Sequence, residues 1–371
     1  MNKYLKNFLL AIFTIVIALV AVEFLSRLFF DPIDFLKPNT IQDEVLRYRI
    51  EPGSGAHDSW GYRNKTVPDS ADIVTIGDSH TYGVSATAAN SWPSSLSRIS
   101  GKNIYNLSLG GYGPAEYLYL MENKALNLNP ELIIVGFYLG NDLKDSLTAV
   151  YTVPIWEALR TNSEIKLEDV QKNNKPNKKG LTDWLSANSV LYRIISSSAI
   201  GDNLRQQRRL DRGEEILMLQ IDEIGINTGF TPDRRLKGLD LGTPEIREGL
   251  KLSLSFLNKM NQLAKDNDTE FLVVILPTKE NVYSDFINQD QELSQSEKLK
   301  ALITNEEIAN QFVRAFFDAN SISYIDMLEP LKNAAQTQQI YPNNFGGHSN
   351  KNGYEIIADN VGQHIQAENS D

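Results

Sequence analysis

A serine that could act as a nucleophile stands in the segment Gly77-Asp78-Ser79, directly after the apolar run 72–76. The run is typical of a buried strand, and Gly77 permits the sharp exit that would raise the Ser79 side chain at the carboxyl edge of a sheet. Open α/β sheets place their sites at that edge. Taken alone, Ser79 could also serve only as a helix cap, because serine is a preferred capping residue.

Three further segments lie at the ends of predicted strands or helices and could complete such a site. The run NLSLGGYG, residues 106–113, could present free backbone N–H groups to a developing oxyanion, and Asn141 in the segment GND could add a side-chain amide. His348 lies in the loop GGHSN before the last predicted helix, a place where a lone histidine is usually a surface residue. Each segment alone is an ordinary turn or loop. Together, and in this order, the four segments are much more specific than any one of them.

The elements that must position these residues alternate between strand and helix. Short apolar runs bounded by Gly, Asn, Asp and Pro suit strands that are buried on both faces of a parallel sheet. Helical patterns separate them, so we expect an α/β fold with a mostly parallel sheet. The predicted strands are 72–76, 103–109, 131–138, 270–276 and 322–325, and the predicted helices are 92–99, 115–126, 244–265, 305–319 and 353–365.

Composition and charge exclude several classes of protein. The chain has 371 residues, 42% of them hydrophobic, which is enough for a sizeable core. Its formal net charge of −11 offers no global positive field, so we expect no nucleic-acid partner. Cysteine is absent, which excludes disulfides and thiolate metal sites, and four histidines leave little material for a metal cluster. We therefore expect no metal site.

The N-terminus has the pattern of a membrane segment. Lys3 and Lys6 precede the uninterrupted apolar run 8–22, and the apolar pattern continues to residue 30 with Glu23 and Arg27 as interruptions. As one helix, this segment is long enough to cross a hydrocarbon core of about 30 Å. Glu23 and Arg27 would then lie near the far interface, four residues apart on one face of the helix.

A cleaved signal peptide is the competing interpretation of this segment, because a positive start followed by an apolar run fits both. No site of the A-x-A type closes the run, which favours an uncleaved anchor. Positive charge on the short N-terminal side keeps that end in the cytoplasm. The remainder of the chain is then expected in the periplasm or outside the cell.

The four chemical segments resemble those of the SGNH hydrolases, also called GDSL-like esterases. The resemblance falls on Ser79, Gly111, Asn141 and His348, and it covers about residues 58–145 and 244–365. The segments DSWGYRN (58–64) and LPTKENVY (276–283) are similar to those of membrane-anchored, envelope-facing members. The resemblance implies a three-layer α/β/α sandwich of flavodoxin-like type, no cofactor, and hydrolysis or transfer of small acyl groups, often acetyl groups on carbohydrate.

The same resemblance implies a role for each matched residue. Ser79 Oγ attacks an ester carbonyl while His348 takes its proton and later returns it to the leaving alcohol. The backbone N–H groups of Ser79 and Gly111, with the Asn141 side-chain amide, form the oxyanion hole.

The sequence departs from the family where an aspartate normally orients the histidine. Gly346 and Phe345 occupy the positions two and three residues before His348. Either a backbone carbonyl or Asn344 holds the imidazole in a Ser-His dyad, or an acid from elsewhere replaces the aspartate, or the protein is catalytically weak. His80 is an alternative base, disfavoured because adjacent residues at a helix start diverge.

The chain divides into a membrane anchor (1–30), a linker (31–57) and a hydrolase-like domain (58–144 and 245–371) interrupted by an insertion (145–244). The insertion includes the polar run 173–180, and we expect it to be partly helical and to act as a lid.

Three functions fit these observations. The first is an esterase that removes acyl, and specifically acetyl, groups from a carbohydrate or related ester. The second is a polysaccharide O-acetyltransferase that uses the same serine. The third is a non-catalytic carbohydrate-binding or assembly subunit.

Overall fold

The computed structural model describes residues 3–165, 170, 180–211 and 213–368. Its first element is a long helix, α1 (Lys3–Phe29), which is apolar and exposed over most of its length. Among the described residues, it is the one helix long and apolar enough to cross a membrane. The polar run 173–180 lies outside the described residues except for Gly180.

The strands are β1 (Thr40–Asp43), β2 (Arg47–Ile50), β3 (Ile73–Gly77), β4 (Ile104–Asn106), β5 (Leu132–Tyr138), β6 (Leu217–Ile221), β7 (Ile226–Phe230), β8 (Glu270–Leu276) and β9 (Ser323–Asp326). Five of them form a parallel sheet at the centre of the domain, in the order β4-β3-β5-β8-β9. Two antiparallel hairpins, β1-β2 and β6-β7, lie outside this sheet.

Helices connect the strands and cover both faces of the sheet. After α1 they are α2 (Pro32–Phe35), α3 (Ser79–Tyr82), α4 (Trp92–Ser100), α5 (Pro114–Leu120), α6 (Asp142–Thr152), α7 (Leu181–Asn188), α8 (Val190–Ser196), α9 (Ala199–Leu210), α10 (Pro232–Leu239), α11 (Pro244–Asp266), α12 (Lys279–Val282), α13 (Ser284–Gln289), α14 (Glu297–Asn320), α15 (Leu328–Ala335) and α16 (Lys351–Glu368).

Side chains along β5 alternate between two buried clusters, one on each face of the sheet. Ile133 and Val135 pack in a cluster that includes side chains of α5, α6 and α11. Leu132 and Ile134 pack in a second cluster with side chains of α4 and α16. This alternation is what a strand covered on both faces requires. The predicted three-layer α/β/α fold is therefore confirmed.

The second strand is shorter than its apolar pattern predicted. β4 ends at Asn106 rather than at residue 109, although Leu107 N–H still donates to the Thr75 carbonyl at 2.8 Å. The Asn106 side chain makes two hydrogen bonds at this point. Its Oδ1 accepts from Ser108 N–H, and its Nδ2 donates to the Thr81 carbonyl. The chain after β4 is thereby turned across the carboxyl edge of the sheet.

Candidate active site

Ser79 and His348 meet at the carboxyl edge of the sheet. Ser79 is the first residue of α3, directly after β3, and His348 lies in the loop before α16. The distance between Ser79 Oγ and His348 Nε2 is 2.7 Å. This is hydrogen-bond contact between a hydroxyl and a neutral imidazole, the geometry that proton transfer from the serine needs.

Asp78 sets the direction of the turn that presents Ser79. Its Oδ1 accepts from the His80 backbone N–H at 2.8 Å and so caps α3. Its Oδ2 lies 3.2 Å from Ser79 Oγ, so two acceptors compete for one hydroxyl proton, and His348 is the nearer. Burial raises the pKa of Asp78 to about 6.

Gly77 is required for space rather than for a left-handed backbone. Its φ lies outside the positive range, and a Cβ at this position would collide with the Thr81 hydroxyl. The exit from β3 is therefore tight because Thr81 packs directly on the strand end.

The glycine segment after β4 lies against the serine. A Cβ at Gly110 would come within 3.3 Å of Ser79 Cβ, and Gly111 has φ +82°, a conformation that favours glycine. The β1-β2 hairpin holds this segment from behind. Tyr48 Oη donates to the Gly110 carbonyl at 2.6 Å, and Arg47 Nη2 donates to the Gly111 carbonyl.

Asn141 is the N-cap residue of α6, beside this segment. Its Nδ2 donates to Asp145 Oδ2, and its side chain also helps to lower the pKa of Asp78 by hydrogen bonding. Asn141 thus lies between two buried carboxyl groups at the edge where Ser79 stands. Burial raises the pKa of Asp145 to about 7, although the nearby Arg47 guanidinium opposes this.

Cations rather than a carboxylate surround the candidate base. Burial lowers the pKa of His348 to about 3, and the charges of Arg235 and Lys279 act in the same direction. Within the described part of the chain, no hydrogen bond joins a carboxylate to the His348 ring. An imidazole in these surroundings stays neutral over the ordinary pH range.

Asn344, the candidate orienter of His348, points its side-chain oxygen elsewhere. Asn344 Oδ1 accepts from the Gly346 backbone N–H at 2.7 Å, which closes a turn just upstream of the histidine. The Asn344 backbone carbonyl accepts from Lys279 Nζ at 3.2 Å. Its role as the orienter stays a prediction.

The His80 ring packs at a tilt against the His348 imidazole and stacks on the Tyr138 ring. The His80 ring lies 4.5 Å from the His348 ring and 3.7 Å from the Tyr138 ring, centroid to centroid. Among the hydrogen bonds within the described residues, Ser79 Oγ pairs with His348 rather than with the His80 ring.

Arg235 and Glu280 form a buried ion pair next to the histidine loop. Arg235 Nη1 lies 2.5 Å from Glu280 Oε1, and Glu280 is fully buried. A Cβ at Gly347 would run into the Arg235 guanidinium, so this group packs on the residue before His348. Motif reasoning missed Arg235, which lies in the insertion, although LPTKENVY contains Lys279 and Glu280.

The insertion reaches this loop from a second direction. Gly229 N–H in β7 donates to the Asn344 carbonyl at 3.2 Å, and Thr228 Oγ1 donates to the Pro342 carbonyl at 2.9 Å.

Within the described part of the chain, no group of three His, Asp or Glu side chains is arranged to hold a metal ion.

A parallel α/β sandwich with a serine and a histidine in contact at the carboxyl edge of its sheet is similar to the arrangement of the SGNH hydrolases. The chain matches no family model and no curated protein.

Solved structures similar to this chain carry names of the same class. One is a GDSL-like lipase from Bacteroides thetaiotaomicron, with 12% identity, 80% of this chain and 88% of that chain covered, and a TM-score of 0.37. A lipase/acylhydrolase from Enterococcus faecalis has 10% identity, with 80% of this chain and 95% of that chain covered, and a TM-score of 0.37. A catalytic mutant of an acetylxylan esterase from Geobacillus stearothermophilus has 8% identity, with 81% of this chain and 95% of that chain covered, and a TM-score of 0.39.

Proposed function

We propose that this protein is a serine esterase of the SGNH type that removes small acyl groups, specifically acetyl groups, from a carbohydrate or related ester. The contact between Ser79 Oγ and His348 Nε2 carries the proposal.

The helix α1 anchors the chain in a membrane, with its N-terminus in the cytoplasm and the catalytic domain in the periplasm or outside the cell. The short N-terminal side with Lys3 and Lys6 supports this orientation.

In this mechanism Ser79 Oγ attacks the ester carbonyl carbon while its proton passes to His348 Nε2. The tetrahedral intermediate collapses to an acyl-serine, and the leaving alcohol takes the proton from His348. Water then repeats the two steps to free the acid. Burial, together with the cations Arg235 and Lys279, makes the protonated imidazole of His348 a strong acid, which aids proton return to the alcohol and weakens proton removal from Ser79.

The proposed oxyanion hole comprises the backbone N–H groups of Ser79 and Gly111 and the Asn141 side chain. The approach of Gly110 to Ser79 and the position of Asn141 at the start of α6 support this assignment. One such donor is worth about 10²- to 10³-fold in rate in well-studied hydrolases.

The test is hydrolysis of p-nitrophenyl acetate by the full chain in detergent. We expect turnover that is lost in Ser79→Ala and in His348→Ala. Ser70→Ala is the control, because Ser70 is an exposed serine just before β3, at the opposite end of that strand. Equal rates for the wild type and Ser79→Ala would contradict the esterase and leave the non-catalytic carbohydrate-binding role.

A polysaccharide O-acetyltransferase is the second candidate function. The contacts of β7 and Arg235 with the histidine loop favour it, because an insertion held over this loop can exclude water from the acyl-enzyme. With an oligosaccharide acceptor present, a transferase would consume p-nitrophenyl acetate faster and yield acetylated sugar. Free acetate as the sole product, at a rate independent of acceptor, would support the esterase instead.

A further inference from the structure

Glu23, one of the two charged residues in the apolar segment, caps a helix of the insertion. Its carboxylate accepts a hydrogen bond from Ser189 Oγ at 2.8 Å. It also accepts from the backbone N–H groups of Val190 and Leu191, each at 3.0 Å. Three donors at the start of α8 therefore converge on one carboxylate of α1.

Arg27 completes this junction one turn later. Its Nε pairs with Glu23 Oε1 at 2.8 Å, and its Nη2 donates to the Asn188 carbonyl, the last residue of α7, at 2.6 Å. The two side chains together hold the α7-α8 corner, residues 188–191, against the end of α1.

The position of Glu23 along α1 fixes the height of this corner. A hydrocarbon core of about 30 Å takes about 20 helical residues, so a span that begins at Phe8 ends near Arg27. Glu23 then lies about one turn inside the apolar layer, where a carboxylate needs hydrogen-bond donors. The start of α8 supplies them, so the α7-α8 corner reaches the boundary between the apolar layer and the headgroups.

On one side, α7 and α8 contact the linker, residues 31–57. Lys37 Nζ pairs with Asp183 Oδ1 at 3.3 Å, and Arg193 Nε donates to the Phe35 carbonyl at 2.8 Å. Large apolar side chains on the same two helices remain uncovered. These are Leu181, Trp184 and Ile195, with exposed fractions of 73%, 61% and 54%.

We propose that α7 and α8 form an interfacial dock, in which Leu181, Trp184 and Ile195 insert into the headgroup region of the bilayer that α1 crosses. The inference rests on the proposed anchoring by α1. Lipid is the fitting occupant because the corner is tied to the membrane helix at headgroup height and carries a tryptophan, a residue enriched at membrane interfaces. Three side chains offer too little surface for a stable protein interface.

The dock sets the height of the active site above the bilayer. The same insertion continues into β7 and α10, which contact the histidine loop through Gly229 and Arg235. A membrane contact of α7 and α8 therefore restricts the swing of the catalytic domain on its linker, and it favours substrates presented close to the membrane surface.

The absence of cysteine permits a direct test, because each single-cysteine variant of the full chain takes one spin label. The variants are Ile195→Cys in the dock, Phe312→Cys in α14 as an equally exposed apolar control, and Val16→Cys in the middle of α1. The chain is reconstituted at low density in vesicles of phosphatidylcholine and phosphatidylglycerol. Accessibility of each label to oxygen and to a water-soluble nickel complex then reports its depth.

We expect the label at position 16 to be deep in lipid, the label at 195 to be shallow in lipid, and the label at 312 to be in water. Labels at 195 and 312 both in water, with 16 in lipid, would overturn the dock and leave the anchor. A label at 16 in water would show that the anchor itself has failed. Dipolar broadening at 195 would indicate a second copy as the occupant and would also overturn the dock.

A change to the junction supplies a second readout. In Glu23→Gln the amide keeps one acceptor oxygen but loses the charge and one acceptor, so the hold on the start of α8 weakens. We expect the label at 195 to move toward water and the label at 16 to stay in place. An unchanged depth at 195 would show that the junction does not set the height of the dock. Ester hydrolysis is measured on the same samples, which separates failure of the dock from failure of the esterase.

Discussion

Tyr48 Oη donates a hydrogen bond of 2.6 Å to the carbonyl oxygen of Gly110. A trans peptide is planar, so its C=O and N–H point in opposite directions. The peptide that joins Gly110 to Gly111 therefore aims the Gly111 N–H away from Tyr48. A hydrogen bond on the carbonyl both fixes this direction and strengthens the N–H as a donor. Tyr48 is thus placed to act as a positioning residue for the proposed oxyanion hole.

Replacing this tyrosine with phenylalanine removes the hydroxyl and keeps the ring. One neutral hydrogen bond is worth about 0.5–1.5 kcal/mol, so we expect Tyr48→Phe to lower kcat about 3- to 10-fold on p-nitrophenyl acetate. KM should change little, because the donor acts mainly on the charge that develops in the transition state.

Tyr324→Phe is the matched control for this change. Tyr324 in β9 donates to Asp318 near the surface, and its loss should leave kcat unaltered. Wild-type kcat in Tyr48→Phe would show that the Gly110 carbonyl needs no support from the hairpin.

Gly111 and Gly101 allow backbone strain to be separated from a defect in the site. Both have a positive φ, +82° and +70°, but a Cβ at Gly111 would collide with Tyr48 Oη, whereas nothing lies near a Cβ at Gly101. We expect Gly101→Ala to lower stability by about 1 kcal/mol and to keep full activity. Gly111→Ala should lose about 10²-fold in kcat as well, because its N–H is displaced.

Thermal unfolding and steady-state kinetics on both variants check this prediction. Equal kcat in the two variants would mean that the Gly111 N–H plays no part in catalysis.

The central sheet could be predicted from the sequence because its strands are short, continuous apolar runs. The run 270–276 coincides with β8, and the run 131–138 differs from β5 by one residue. The same pattern overextended the second strand. β4 ends at Asn106, whose side chain bonds to Ser108 N–H and to the Thr81 carbonyl, although the N–H groups of Leu107 and Leu109 still donate to β3. Apolar periodicity carries no information about such local side-chain hydrogen bonds.

Ser79 and His348 could be predicted because each stands in a short motif at the end of an element. Tyr48 and Arg235 could not be predicted as parts of the site, because each reaches it only through contacts with residues far away in the chain. Tyr48 meets Gly110 across 62 positions, and Arg235 meets Glu280 across 45. Only the folded path of the hairpin and of the insertion brings these groups to the site.

The acid limb of the pH profile should depend on the burial of His348 and on the cations near it. The neutral imidazole is the active form, and its pKa is lowered to about 3, so protonation of His348 should not reduce kcat/KM between pH 8 and pH 5. The pair variant Arg235→Gln with Glu280→Gln removes one cation without stranding a buried carboxylate. The pKa of His348 then rises, while burial still holds it below its ordinary value of about 6.5, and we expect kcat/KM to fall at a higher pH than in the wild type.

Arg235→Lys keeps the charge and should retain the wild-type profile. Asp78 and Asp145, whose pKa values burial raises to about 6 and about 7, titrate in the same window in all three proteins. The difference between profiles therefore isolates His348. Superimposable profiles for the wild type and the pair variant would contradict this account.

Stability must be followed over the same pH range. The pKa of His348 is lower in the folded chain than in the unfolded chain, so the unfolded chain takes up the proton first. This histidine therefore lowers stability as pH falls from about 6.5 toward 3. Melting temperatures measured at each pH define the window in which the rates describe folded protein.

The most direct test of the central claim is to trap the acyl-enzyme. The full chain is mixed with p-nitrophenyl acetate, quenched in acid within the first turnover, and digested for mass spectrometry. We predict one acetyl group on the peptide that contains Ser79, absent from Ser79→Ala and strongly reduced in His348→Ala. Release of p-nitrophenol by the wild type without an acetyl group on that peptide, or with equal acetylation in His348→Ala, would contradict the mechanism.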